Sequence, residues 1–588
     1  MNRWRNRAVV VASTLRGATP RTRSCSRSFV RRGGRVLVLL SFVVTAMLIS
    51  GAAPASAATL NVCKSGCSYT QIAPAVAAAN SGDTIRIGPG TYVGGVSIDN
   101  NLQLIGSGPG ATIIKGGGGS VLTIGSYGAT TEPTVTISGV TITGGVAQTS
   151  PESIPLFGIP GVWATGGGVD IPPSANFSVG ATVTISNSVI RGNRADPTAE
   201  VDSGMPCPGF SDGECPDAAA LGGGINSWGT LTLLNSTVSD NSAGSAGTSS
   251  NAEGAGICSA AGSVTLTNTV MSGNHAVATA PNGLWAEGGA INLACTADIQ
   301  LPGPGENDSL TVTNSVITCN TATVTRNLPV FYRGSGPISM GADSAGIFDN
   351  EYSYPVTIEN TSVTNNVAVA NDPMGEPQGF NAAISAGGPL SMANSVVSGN
   401  QSITYAATSA DVGPEGGIIG TADGGTIANT VITNNVAKMF SPGIAAVIGA
   451  LEDFGVTSSL TVQNSTISGN TAEAISTSST GVANVFGVGI SNGGPIVLIG
   501  DQVNDNLGTA TGPSGTAQGG GVWSSSEVYS PVPPQLTLEN TTVTHNALIG
   551  SHGITVQGGG LFTDPSESVT LTHSLIALNI PDQCFGIC

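Results

Sequence analysis

The chain has 588 residues with 84 Gly, only 9% charged and 4% aromatic side chains, and 36 acidic against 18 basic residues. Ten of the basic residues, all Arg, lie between Arg3 and Arg35, so the chain after residue 57 keeps eight against all 36 acidic ones, a net charge near −28. That excess excludes nucleic acid as a partner and repels acidic polymers unless a cation bridges them.

Residues 1–57 read as a secretory signal peptide: the Arg-rich stretch, an apolar run from Val36 to Ile49, and small residues before a cut after Ala57. The alternative, a retained anchor, is opposed by the length of that run, which falls short of the ~20 residues of a spanning helix. No later segment is apolar enough to span a membrane, so a secreted or cell-surface protein is expected, with residues 58–588 as one domain. Export permits disulfides. Cys63 with Cys67, Cys207 with Cys215, and Cys584 with Cys588 are spaced for local bridges, leaving Cys258, Cys295 and Cys319 as an odd set. Paired CxxC elements are absent, and His275, His545, His552 and His573 are not spaced as a metal triad. Neither a metal nor a cofactor is expected.

Residues 69–80 place Ile72, Val76 and Ala79 at helical spacing. A short amphipathic helix there would cover the open end of a repeat array. Residues 82–108, GDTIRIGPGTYVGGVSIDNNLQLIGSG, then give short strands separated by Pro-Gly, Asp-Asn and Gly turns.

From there to about residue 580 one pattern returns. Apolar residues alternate with Thr or Ser, as in Val183 and Ile185 or Leu231 and Leu233; an Asn follows, and a second Asn comes six residues later. The pairs are Asn187 and Asn193, Asn235 and Asn241, Asn268 and Asn274, Asn314 and Asn320, Asn360 and Asn366, Asn394 and Asn400, Asn429 and Asn435, Asn464 and Asn470, and Asn540 and Asn546; Asn506 and Asn579 keep the second position alone. Period-two alternation buries one face of a strand, and Asn tolerates the left-handed corner that turns one strand into the next. Intervals of 33 to 48 residues between second Asn residues indicate a solenoid. Both Asn residues of each pair are expected in stacked ladders at the corners.

The succession of helix, GDTI, PGTY and VSIDNNLQLIGSG resembles the entry of right-handed parallel β-helix proteins of the pectin lyase-like superfamily. The repeats resemble those of polymorphic outer-membrane proteins, whose GGA-aliphatic element appears as GGAI at Gly288 to Ile291. The resemblance implies an all-β, right-handed parallel β-helix of roughly 13 to 15 rungs, about 65 Å long at the usual strand spacing. It leaves function open, since such a fold hosts lyases, hydrolases, esterases and adhesins.

A third element precedes each repeat, for example GGGV at Gly166 to Val169 and GGGI at Gly222 to Ile225. The Gly runs mark sharp bends, and the variable segments before them, such as 195–221 and 438–458, are expected as loops along one edge. If the aliphatic residue points inward, the next points outward. That outward column reads Asp170, Asn226, Cys258, Asn292, Phe348, Ser385, Ile419, Ser491, Trp523 and Phe562, with Trp228 and Asp564 two residues beyond it. It contains no carboxylate pair of the kind a glycosidase requires, so no catalytic residue is assigned. Asp170, Asn226, Trp228, Asn292, Asp349 and Trp523 remain candidate ligand-binding positions. The expected function is a binding or adhesion scaffold for a carbohydrate or cell-surface ligand. The alternatives are a polysaccharide lyase or hydrolase and a structural surface component.

Overall fold

The alternation of apolar and polar residues decides which side chains fill the solenoid, and the Asn corners decide where the chain turns. The computed structural model describes residues 57–148, 162–175, 178–197, 218–246, 249–279, 282–293, 295, 309–326, 340–349, 354–372, 377–406, 415–455, 458–525, 534–565 and 567–587. One full rung runs through strands Thr230–Leu234, Thr237–Ser239, Ser242–Ala246, Ser249–Glu253 and Ile257–Ser259. The next strand, Val264–Thr267, then lies directly over the first, with Leu231 opposite Val264.

Stacking the rungs produces all-parallel sheets, which we number in rung order. Sheets 1 and 2 have 15 and 14 strands, sheet 3 has 11, sheets 4 and 5 have six and five, and sheet 6 has 14. The protein is a parallel β-helix, right-handed as parallel crossovers are. Sheets 1, 2 and 6 enclose the main core, in which Val183, Leu231, Val264, Leu310, Val356 and Leu390 stack with no exposure. Burying each such side chain contributes about 1.5–3 kcal/mol.

The segments expected as edge loops are partly strands. Val436–Ser441 and Ile444–Ile448, inside and beside 438–458, belong to sheets 3 and 5, which pack face to face over Ala437, Met439, Val447, Ala472, Val485 and Leu548. Sheets 3 to 5 therefore form a flange between sheets 2 and 6. Small inward residues, Ala437, Ala472, Ala474 and Ala483, all buried, let its two layers approach closely.

The two Asn residues of the repeat have different jobs. Every second Asn from Asn193 to Asn579 is buried. Asn241 Nδ2 donates to Asn274 Oδ1 (3.0 Å) and to the Ile190 carbonyl (3.1 Å), while Oδ1 accepts from Asn193 N and Nδ2 (both 3.0 Å). The same arrangement continues to Asn546, and the ladder ends on Gln583, whose Oε1 accepts from Asn579 N at 3.0 Å. The first Asn corrects the expectation. Asn187, Asn235, Asn268, Asn314, Asn360, Asn394, Asn429, Asn464 and Asn540 sit at φ 47 to 51 as left-handed turn residues. Among the described residues, only Asn268 and Asn235 share a side-chain bond (3.1 Å). The ladder at this corner belongs to the following hydroxyl residue: Ser188 N donates to Ser236 Oγ (3.3 Å), Thr361 N to Ser395 Oγ (3.1 Å) and Thr430 N to Ser465 Oγ (3.1 Å).

Helix α1, Ile72–Ala78, buries Ile72, Ala75 and Val76 against strands Thr59–Val62 and Val96–Ile98 of the first rungs. Beside it, backbone bonds from Ala58 N (2.6 Å) and Asn80 N (2.8 Å) hold the Asp83 carboxylate below its ordinary range. Cys63 is bonded to Cys67, and Cys258 to Cys295, so two of the odd set pair with each other. Cys319 is unpaired and exposed. Cys584 is disulfide-bonded; its expected partner Cys588, like Cys207 and Cys215, lies outside the described residues.

Candidate functional site

Sheet 6 meets sheets 4 and 5 at the Gly clusters, where Gly222, Gly254 and Gly288 have φ of 64, 55 and 59 and a Cβ would lie 2.3 Å from the carbonyl of Ile225, Ile257 and Ile291. Glycine suits that bend, although Ser344 holds the equivalent position before Ile347 at φ 38. The outward side of sheet 6 therefore faces the flange across a crook.

The predicted column exists in register: Asp170, Asn226, Cys258, Asn292 and Phe348 are successive partners, and Ser491, Trp523 and Phe562 continue it. Two positions are corrected. Gly420 replaces Ile419, which faces inward with no exposure, and Glu452, between Gly420 and Ser491, is a carboxylate missing from the expected column. Its rung lacks a Gly pair before the aliphatic Leu451, so the motif passes over it.

A second correction concerns exposure. Asn226, Trp228, Asn292 and Asp349 are 2%, 4%, 1% and 0% exposed, so they are packing and polar-network residues rather than a solvent-facing platform. Asn226 Nδ2 donates to Asp170 Oδ1 (2.8 Å), and burial pushes the Asp170 carboxyl up to about 6. Asp349 accepts from Gly388 N (3.2 Å) at the turn into sheet 1. Trp523 packs against Phe486 across the crook at 5.3 Å. Trp285 lies over Gly341, where a Cβ would come within 2.2 Å of its ring.

The faces open to solvent include those of sheets 1 and 2. Along the middle of sheet 1, Thr136, Thr184, Thr232, Thr265, Thr311 and Thr357 are successive register partners, followed by Ser391, Thr426 and Thr461. All but the exposed Ser391 are half-buried. Sheet 2 carries a parallel column of Ser239, Ser272, Thr318, Thr364, Ser398, Thr433 and Ser468. Beside it stand the exposed Val270, Val316, Val396 and Val431. These positions repeat at the ~4.8 Å rung spacing. Glu359 and Glu539 share one outward column of sheet 1 but stand five rungs apart, about 24 Å at that spacing. A glycosidase pair stands ~5–10 Å apart.

On sheet 3, Tyr405 (42% exposed) stacks on Phe440 of the next rung with centroids 5.0 Å apart and planes 9° from parallel. Each lies five residues after its ladder Asn, Asn400 or Asn435, a register the sequence reading did not use. Among the His residues, His545 and His573 occupy turn positions at φ 57 and 49, and His275 Nδ1 bonds Thr321 Oγ1 (2.9 Å). At the corner leading to the last strand of sheet 1, burial pushes the Glu567 carboxyl up to about 8, helped by the charge of Asp564.

No family model matches the chain, and no curated protein matches it. Among solved structures, the A-module of mannuronan C-5 epimerase AlgE4 from Azotobacter vinelandii is similar at 12% identity over 88% of this chain and 94% of that one, with a TM-score of 0.23. A pectin methylesterase variant in complex with a hexasaccharide is similar at 14% identity over 64% and 79%, TM-score 0.18. The AlgE6 A-module of the same organism is similar at 13% identity over 86% and 92%, TM-score 0.21. Likeness this remote supports no transfer of activity, and none of these matches is a polymorphic outer-membrane protein. The strand pairing of the chain itself establishes the parallel β-helix.

Proposed function

We propose that the protein is an exported, non-catalytic scaffold that binds an extended, uncharged polysaccharide along sheets 1 and 2. The observation that carries this reading is the flat array of Thr and Ser hydroxyls with exposed Val, on a molecule whose described segment is otherwise strongly acidic. A pyranose chain presents apolar C–H faces and hydroxyl rims at regular intervals, and such an array offers apolar and hydrogen-bonding partners at regular intervals too. The Tyr405–Phe440 pair supplies an aromatic platform for a sugar ring at one edge. Two disulfides suit an oxidising compartment, and no described helix is long and apolar enough to cross a membrane.

Sedimentation of the full chain with insoluble neutral polysaccharides tests the reading. Saturable binding that falls about tenfold in a Tyr405→Ala/Phe440→Ala double variant of unchanged melting temperature supports it. Equal binding by the variant, or none by the native chain, overturns it. A second reading, a polysaccharide-active enzyme, rests on Glu567, a carboxyl protonated at neutral pH as a general acid must be. Release of new reducing or unsaturated ends, abolished by Glu567→Gln, would establish it.

A further inference from the structure

We propose that the last rung of the solenoid docks a second copy of this chain, the two molecules meeting end to end about a two-fold axis. The opposite end is covered by helix α1. At the last rung the core columns run out into solvent. Leu571 stands over Leu538, and Ile576 over Val543, yet Leu571 is 39% exposed where Leu538 has no exposure. Leu575, Leu578, Ile580, Phe585 and Ile587 lie on the same turn, and the six side chains are between 37% and 65% exposed. At about 150 Å² for a fully exposed large apolar side chain, they present roughly 450 Å² of apolar surface. Apolar exposure gathered on one turn in that amount differs from the single scattered residues of an ordinary surface.

Charge, backbone pairing and area each favour a second copy as the occupant. Two chains this acidic repel one another, but no Asp, Glu, Lys or Arg lies between Ser568 and Ile580, so copies can meet here without opposing like charges. Among the described residues, Ser568–Thr572 is the last strand of sheet 1 and Leu575–Ala577 the last of sheet 2. Neither carries the Lys or Pro with which edge strands are commonly blunted against pairing. A two-fold axis normal to sheet 1 sets two Ser568–Thr572 edges antiparallel, a ladder that satisfies the backbone of both. The same rotation leaves Val569 and Leu571 of each copy facing a shared core. A standard interface buries about 800 Å² per partner, about three-fifths of it apolar, which matches the apolar surface of this rung. The proposal is independent of polysaccharide binding, because the hydroxyl columns lie on earlier rungs, from Thr136 to Ser468.

The test is sedimentation equilibrium of the full chain from about 1 to 100 μM. The native chain should pass reversibly from the monomer mass to twice that mass and stop there, because a two-fold contact closes on itself. A Leu575→Lys/Leu578→Lys variant, altered at two exposed positions, should dimerise at least tenfold more weakly at unchanged melting temperature. A native chain that stays monomeric through that range overturns the proposal without reference to any variant. It is overturned equally by a dimer that survives the double substitution, since the contact would then lie elsewhere, and by growth into longer polymers, which requires a head-to-tail contact.

Discussion

Removing one amide from the buried Asn ladder should cost far more than removing one from the turn beside it. Asn400 has no exposure; its Oδ1 accepts from Asn366 N and Nδ2 (both 3.0 Å), and its Nδ2 donates to the Val363 carbonyl (2.9 Å) and to Asn435 Oδ1 (3.0 Å). Asn400→Ala deletes all four bonds and strands two donors of Asn366 in the interior. At about 1 kcal/mol net per neutral bond, with more for each orphaned buried group, the expected loss is about 4 kcal/mol. Asn394, in the same rung, is exposed at φ 51. Asn394→Ala pays only the left-handed strain, about 1 kcal/mol, and Asn394→Gly should be near neutral. Urea denaturation followed by circular dichroism measures all three, the shift being read in the earliest transition because repeats couple chiefly to their neighbours. A loss below about 1 kcal/mol for Asn400→Ala, or one equal to that of Asn394→Ala, would refute the reasoning.

Three further outcomes follow from named residues. In the hydroxyl ladder, Asp501 replaces the usual Ser or Thr, and burial pushes its carboxyl up to about 6, above the ordinary value of about 3.9. Its stabilising contribution is therefore complete below pH 4 and lost as pH rises through 6. Asp501→Thr should stabilise the fold by about 2 kcal/mol at pH 7.5 and by nothing near pH 4, and equal melting temperatures at both pH values would contradict this. Arg326 and Asp372 form an ion pair at 3.2 Å with 5% and 0% exposure; Asp372→Ala should cost about 3–5 kcal/mol by leaving a buried guanidinium without that carboxylate, measured by denaturant midpoint. Replacing Cys258 and Cys295, which are 37 residues apart, by Ser should cost about 2–4 kcal/mol. A melting temperature equal to that of the oxidised chain would show that the bridge contributes nothing.

The architecture was largely legible because both of its signals are local. Alternation such as Val183 and Ile185 identifies the core face, and the second Asn recurs in every repeat as a residue whose four hydrogen-bonding valences suit a stack. The division of labour between Asn394 and Asn400 was not legible, since both are Asn, which fits a turn, and only backbone geometry separates them. The crook was missed for a different reason. Period two says that Asn226 and Asn292 leave the core, but not what they meet, and the opposing wall includes strands inside the variable segments, such as the one carrying Ala445 and Val447 in 438–458, whose Ala-rich composition resembles that of a loop. Glu452 escaped because its rung departs from the Gly motif. Tyr405 and Phe440 could have been found by counting from the ladder Asn, because in a solenoid equal offset means adjacent position.

Equilibrium binding to crystalline cellulose and chitin, with soluble pectate as the acidic comparison, tests the proposed role most directly when the native chain is set beside Thr311→Glu. That substitution puts a charge into the middle of the hydroxyl column without touching the core. The account predicts saturable binding to a neutral polymer, none to pectate, and at least a tenfold loss in the variant at unchanged melting temperature. Binding that ignores the substitution, or a preference for pectate, would contradict it.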